Sequence, residues 1–186
     1  VVGASGATGR LLVRELLDRG ERVRIVVRAP DRLPAFLRGR DNLSVIAASV
    51  LELGDAEMMR HVDGCDAVAS CLGHNMNLKG VFGPPRRLVS CAVRRLCAAV
   101  RAREAPQPVK FILMSTTVVR NHDLAEEVSF AQKSVVALLR ALLPPHVDNE
   151  EAADYLRTQI ARDDRAVAWV AVRPDNLIDE NEATEY

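Results

Sequence analysis

The most constraining feature of this chain lies at its start, where Gly3, Gly6 and Gly9 recur at spacing three in Gly3-Ala4-Ser5-Gly6-Ala7-Thr8-Gly9-Arg10. An apolar Val1-Val2 pair precedes it. Thr8 to Arg19 follows, with Leu11, Leu12, Leu16 and Leu17 on one helical face, and Gly20 closes that segment. Glycine is needed where a chain turns with positive φ, where its backbone must approach another group, and where a helix packs tightly on a strand. The amides and dipole at a helix N-terminus then face the turn and favour an anion. Strand, glycine turn and helix arrive in the order that a pyrophosphate site requires. Gly3, Ser5, Gly6, Ala7, Thr8, Gly9 and Arg10 are therefore the expected dinucleotide contacts.

The rest of the chain alternates apolar strand-like runs with segments of helical period, as βαβ units do. Strands are expected at Val23–Val27, Leu43–Ala47, Ala67–Cys71, Lys110–Ser115 and Val167–Val172. Helices are expected at Ala56–Val62, about Arg86–Arg103, Ser129–Leu143 and Asn149–Ile160, the last two divided by Pro144-Pro145. The expected architecture is a single α/β domain over residues 1–186. It is a Rossmann fold whose doubly wound parallel sheet runs 3-2-1-4-5-6, counting Val1-Val2 as the first strand, with helices on both faces. Val1-Val2 is short for a buried strand and the Asp179-Glu180-Asn181-Glu182 stretch closes no element, so both ends read as cut. Trp169 and the Met58-Met59 pair are expected in or near the core.

Composition narrows the function. Lys plus Arg number 25, as do Asp plus Glu, and this balance favours neither a nucleic acid nor an anionic membrane as partner. No apolar run reaches the roughly 18 residues of a membrane helix. Cys65, Cys71, Cys91 and Cys97 form no CxxC pair, so they read as reduced thiols of a cytoplasmic enzyme rather than as metal ligands. Enzymes that use NAD usually place an acidic residue at the end of the second strand, for the ribose diol. Arg28 stands there instead, with Arg32 close behind, and a guanidinium suits a 2′-phosphate. NADP(H) is thus favoured over NAD(H).

Gly3 to Arg10, Val26-Val27-Arg28, Gly64-Cys65-Asp66-Ala67-Val68, Cys71-Leu72-Gly73 and Val172-Arg173-Pro174 together resemble the atypical short-chain dehydrogenase/reductases. Within them the chain is most similar to the group holding the NmrA-like proteins and the biliverdin-IXβ (flavin) reductases. Arg24 to Pro34 looks especially like the flavin reductases. The resemblance implies that Arg28 meets the 2′-phosphate, that Ser49 and Val50 flank the adenine, and that Leu72 and Gly73 pass the ribose. It also implies that Ser115 and Thr116 lie near the nicotinamide and that Pro174 shapes the nicotinamide and substrate pocket. Relatives often carry Asp at the Ser49 position.

Extended members of that group use a Tyr-x-x-x-Lys pair, whose lysine lowers the tyrosine pKa for proton exchange with a carbonyl substrate. Here His146 and Glu150 occupy that position, and Tyr155 and Tyr186 have no lysine four residues on. His146 is either a substitute proton donor or a loop histidine following Pro144-Pro145, the second being the plainer expectation. Ser115 is the other catalytic candidate, and its hydroxyl, like those of Thr116 and Thr117, suits a strand-end contact or a backbone cap equally. His74-Asn75 reads mainly as loop, and nothing near His122-Asp123 makes a nucleophilic triad. The favoured activity is an NADPH-dependent reductase passing hydride to a flavin, quinone or other conjugated small-molecule acceptor. The alternative is a non-catalytic, NADP-sensing regulator of the NmrA-like type with a protein partner. A relative of the NAD-dependent epimerases and dehydratases comes third.

Overall fold

The computed structural model describes residues 1–74, 80, 82–103, 106–116 and 144–174. Within them the strands are β1 (Val23–Val27), β2 (Leu43–Ala47), β3 (Ala67–Ser70), β4 (Val109–Met114) and β5 (Val167–Val172). β1 pairs with β2, β3 with β4 and β4 with β5, all in parallel. Val2 bridges Val26 on one side and Ser70 on the other, joining the two parts into one sheet. The resulting order is β2-β1-Val2-β3-β4-β5. This is the Rossmann order expected from the sequence, with the Val1-Val2 segment as its central strand.

β1, β3 and β4 are short apolar runs largely covered on both faces, whereas among the described residues β5 leaves Ala168, Val170 and Val172 exposed on one face. Val23, Ile25 and Val27 turn one face of β1 toward α1 (Ala7–Asp18), whose Val13 and Leu17 are buried against them. Leu33 and Leu37, from the two 3₁₀ turns after β1, complete that layer. The opposite face carries the larger core. Val68 of β3 and Phe111 and Leu113 of β4 pack there against α2 (Asp55–Val62), α3 (Leu88–Arg101) and α4 (Pro144–Tyr155). Crossovers toward β2 thus lie on one face and crossovers toward β5 on the other. The winding reverses between Val2 and β3, and this is where such a sheet opens its ligand crevice.

Several expectations need correction. The helix placed at Asn149–Ile160 already includes Pro144 and Pro145, then ends at Tyr155 in a π turn spanning Leu156–Ile160. Pro144 and Pro145 stand in the first described turn of this helix, where proline is tolerated because a first turn needs no amide donors within the helix. Met58 is 1% exposed but Met59 is 37% exposed, since successive helical residues point about 100° apart. The helix expected at Ser129–Leu143 lies outside the described residues.

Phe111 is fully buried at the centre of the larger core. Phe111→Ala should cost about 3–5 kcal/mol of stability through lost transfer energy and the remaining cavity. Urea unfolding monitored by far-UV circular dichroism would measure it, and a loss under about 1 kcal/mol would show that this layer is not tightly packed.

Candidate functional site: the glycine turn and the carboxyl edge of the sheet

The glycine turn is fixed by backbone packing. Gly3 has φ of 75°, and a Cβ on it would overlap the Cys71 carbonyl and lie 2.7 Å from the Leu72 nitrogen. A Cβ on Gly9 would overlap the Gly3 carbonyl and lie 3.0 Å from Ala4 Cα. These contacts press the start of α1 onto the central strand and the central strand onto the segment leaving β3. The Gly6 amide donates to the Gly3 carbonyl at 3.0 Å, and the Arg10 amide to the Gly6 carbonyl at 3.0 Å. Ser5, Gly6 and Ala7 are exposed at the tip, while Thr8 and Arg10 are half-buried.

Three helices begin at this edge of the sheet, since each runs back from the carboxyl end of a strand. Their N-termini differ in charge. At α2 the Gly54 amide donates to Glu57 Oε2 at 3.1 Å, and Asp55 and Glu57 both lie in the first turn. At α3 the carboxylate of Asp148, carried by α4, accepts from the amides of Val89 (2.7 Å) and Ser90 (2.9 Å) and from Ser90 Oγ (2.5 Å). At α1 Gly6 is the cap, no side chain caps the helix, and the first turn holds no acidic residue. Among the described residues, only the α1 N-terminus of these three has no carboxylate at it. Its positive end suits an anion.

The other sequence-derived residues fall around this turn. Arg28 is exposed immediately after β1. Ser49 and the buried Val50 lie in the turn that follows β2, where the Ser49 carbonyl accepts from the amides of Glu52 (2.9 Å) and Leu53 (3.2 Å). Arg95 on α3 ties this turn down by donating to the carbonyls of Val50 (3.0 Å) and Leu53. Leu72 and Gly73 leave β3 beside Gly3, and a Cβ on Gly73 would meet nothing within 4 Å. The Ser115 amide continues the β4–β5 ladder by donating to the Val172 carbonyl at 2.8 Å, with Thr116 next along and Pro174 beyond β5.

Among the described residues, Ser115 Oγ and Ser70 Oγ are buried hydroxyl oxygens with no hydrogen-bond partner. Ser70 pairs in register with Leu113, two residues before Ser115, so both serines belong to the same face of adjacent strands. Buried hydroxyls are nearly always hydrogen-bonded in a complete structure, so this pair marks polar capacity open to a ligand or water.

His146 is not a loop residue. It lies in α4 with its side chain 7% exposed and its Nε2 3.3 Å from Glu150 Oε1, one helical turn on. A buried imidazole–carboxylate pair thus occupies the Tyr-x-x-x-Lys position. Tyr155 faces Arg94, whose guanidinium lies 5.3 Å from the ring centre, and burial pushes its phenol pKa up, against use as an acid at neutral pH. His74 also departs from expectation. Its ring is buried, with Nε2 2.8 Å from Asp148 Oδ2 and Nδ1 3.2 Å from the Gly80 carbonyl. Asn75, Thr117 and His122-Asp123 fall outside the described residues.

The cysteines are free thiols, and burial, aided by the nearby Asp164 charge, pushes Cys97 up to about 12. Among the described residues no helix is long and apolar enough to cross a membrane. Sequence reasoning missed Asp148 and Arg95. Neither carries a local signal, because their partners lie 58 to 74 and 40 to 45 positions away.

The chain belongs to a family of NAD(P)H-binding proteins, whose sequence profile matches residues 3–186. No curated protein matches it. Among solved structures it is similar to a candidate NADH-flavin reductase from Streptococcus pneumoniae TIGR4, with 19% identity over 98% of this chain and 74% of that one and a TM-score of 0.63. A candidate short-chain alcohol dehydrogenase from Burkholderia multivorans shares 17% identity over 96% of this chain and 82% of that one, with a TM-score of 0.64. The UDP-glucuronic acid 4-epimerase from Bacillus cereus, in complex with UDP-glucuronic acid and NAD, shares 15% identity over 92% of this chain, with a TM-score of 0.66. This chain spans 54% of that epimerase's length. At these identities the likeness establishes the shared Rossmann fold.

Gly9→Ala should destabilise the protein by about 1–3 kcal/mol through overpacking. Gly3→Ala should lose about 1–2 kcal/mol more through its positive φ. Gly73→Ala, with open space around it, should melt within about 2 °C of the parent. Thermal denaturation of the three variants side by side checks the contrast, and equal melting temperatures would contradict the packing described. Native Cys97 should also resist iodoacetamide at pH 8, because its thiolate is suppressed, and should react once the chain is unfolded. Mass spectrometry of the alkylated peptides reads this directly.

Proposed function

We propose that this protein is an NADP(H)-dependent oxidoreductase that passes hydride to a flavin, quinone or other conjugated acceptor. The observation that carries the reading is the α1 N-terminus, set at a glycine turn that admits no side chain and left without the carboxylate found at α2 and α3. The Ser5 to Thr8 segment would receive the pyrophosphate there. The exposed Arg28 guanidinium, where NAD enzymes usually carry an acid, would pair with the 2′-phosphate through charge-assisted hydrogen bonds. The turn at Ser49-Val50, held from behind by Arg95, would flank the adenine, with Leu72 and Gly73 along the ribose.

A reduced nicotinamide, when bound, supplies the hydride. This chain's own residues would orient it and manage protons at the acceptor. Ser115 and Thr116, at the carboxyl end of β4, and Pro174, beyond β5, would border the ring. Tyr155 is unsuited to acid catalysis, and a conjugated acceptor needs less proton assistance than an isolated carbonyl. His146, paired with Glu150, is the available imidazole at the position where the extended enzymes carry tyrosine. The family resemblance to the flavin reductases and NmrA-like proteins supports the same cofactor. The absence of tyrosine and lysine at positions 146 and 150 also favours a second reading, a cofactor-sensing regulator that binds the dinucleotide without turnover and acts through a protein partner.

Titration followed by nicotinamide fluorescence should show NADPH binding more tightly than NADH. Arg28→Ala should weaken NADPH by about 10- to 100-fold, the loss expected for a hydrogen bond to a charged group, and leave NADH nearly unchanged. Equal affinities in the parent protein would remove the assignment of Arg28. Steady-state oxidation of NADPH with a panel of flavins and quinones separates the two readings. Turnover supports the reductase, whereas tight binding of NADP+ and NADPH alike without turnover supports the regulator.

A further inference from the structure

Asp148 is 1% exposed and joins three elements that are distant in sequence. It sits on α4, accepts the Val89 and Ser90 amides and the Ser90 hydroxyl at the start of α3, and lies 2.8 Å from His74 Nε2 in the segment leaving β3. Capping α3 does not by itself call for such a residue. The N-cap position belongs to Arg87, where a local Ser or Asp would do the same work without desolvating a carboxylate brought from another helix.

What the remote carboxylate adds is His74. The other ring nitrogen, Nδ1, lies 3.2 Å from the Gly80 carbonyl. A carbonyl and a carboxylate both only accept, so each ring nitrogen of His74 faces a group to which it can donate. His74 is thereby tied at both ends of its ring. It follows Leu72 and Gly73 directly, and the Leu72 nitrogen is packed against Gly3. Gly73 itself is exposed and has no neighbour at its Cβ position to hold it. Between the packed Gly3 contact and the tied His74 ring, the Leu72-Gly73 stretch is suspended from two fixed points.

We propose that Asp148 is a positioning residue which, acting through the His74 ring, sets the Leu72-Gly73 segment for the nicotinamide-ribose half of the cofactor. The inference rests on the cofactor reading given above. It distinguishes the two halves of the ligand. The adenosine and pyrophosphate would meet α1, Arg28 and the Ser49-Val50 turn, none of which Asp148 touches. The nicotinamide riboside would depend on the segment that His74 holds.

The test compares NADPH with 2′-phospho-ADP (adenosine 2′-phosphate 5′-diphosphate), which keeps the adenosine end and lacks the nicotinamide riboside. His74→Ala should weaken NADPH by about tenfold, while 2′-phospho-ADP stays within about twofold of wild type. His74→Gln, which returns an N–H donor to Asp148, should recover most of the loss. In the wild-type protein the nitrogen-15 NMR spectrum of the His74 ring should show hydrogen on Nε2, the nitrogen facing Asp148. Asp148→Asn should give the same selective loss for NADPH.

Equal weakening of both ligands, no weakening of either, no recovery with glutamine, or an Nε2 without hydrogen in wild type would each overturn the proposal. If Asp148→Asn does not fold, the His74 pair and the wild-type ring spectrum decide alone. Wild-type protein that binds neither NADPH nor NADH would instead overturn the cofactor reading, and the role proposed for Asp148 with it. Binding by wild type that is unaltered in the variants would overturn only the role of Asp148.

Discussion

The contact of Gly3 with the Cys71-Leu72 peptide is the constraint on which the remaining architecture hangs. Among the described residues Val2 bridges the β1–β2 pair to the three strands on the other side. Its carbonyl accepts the Cys71 amide at 3.0 Å, and its own amide donates to the Ala69 carbonyl at 2.9 Å. Immediately after it the chain must leave the sheet, turn and enter α1, all within space bounded by the segment leaving β3. No side chain fits at Gly3 or Gly9 under those conditions. The two helical layers can occupy opposite faces because the winding changes direction at this crossing.

The same edge shows how a protein distributes charge among equivalent structural positions. The α1, α2 and α3 N-termini point the same way and offer the same unsatisfied amides. Glu57 answers one of them locally and Asp148 answers another from a separate helix. Among the described residues no carboxylate answers the first. A dinucleotide whose pyrophosphate sat there would be registered along the α1 axis.

Much of the scaffold was legible in the sequence. Val23–Val27, Leu43–Ala47 and Val167–Val172 are strands with the residue limits expected, because each is a short apolar run bounded by polar or turn-forming residues. The ends of α1, α2 and α3 moved by at most two positions, as they do when termini are set by capping rather than by hydrophobic period, whereas α4 begins and ends five positions earlier than expected. The glycine turn was legible because its packing demand falls on residues adjacent in sequence. The surroundings of His74 were not. An imidazole looks like any loop histidine until the fold brings Asp148, 74 residues away, within 2.8 Å of it. His146 was misjudged for a related reason. Two prolines suggest a break, yet at the start of a helix they are compatible with it, and only the helix reveals Glu150 one turn further on.

Arg28 stands apart from all of this. It projects into solvent just past β1, outside both hydrophobic layers and away from the crossing at Gly3. The side chain at that position can therefore change identity with little effect on folding. If the 2′ group of the cofactor is read there, the choice between a phosphate and a free hydroxyl is modular. Descendants of such a chain could exchange one coenzyme pool for the other by altering a single surface position, keeping the scaffold that grips the pyrophosphate intact.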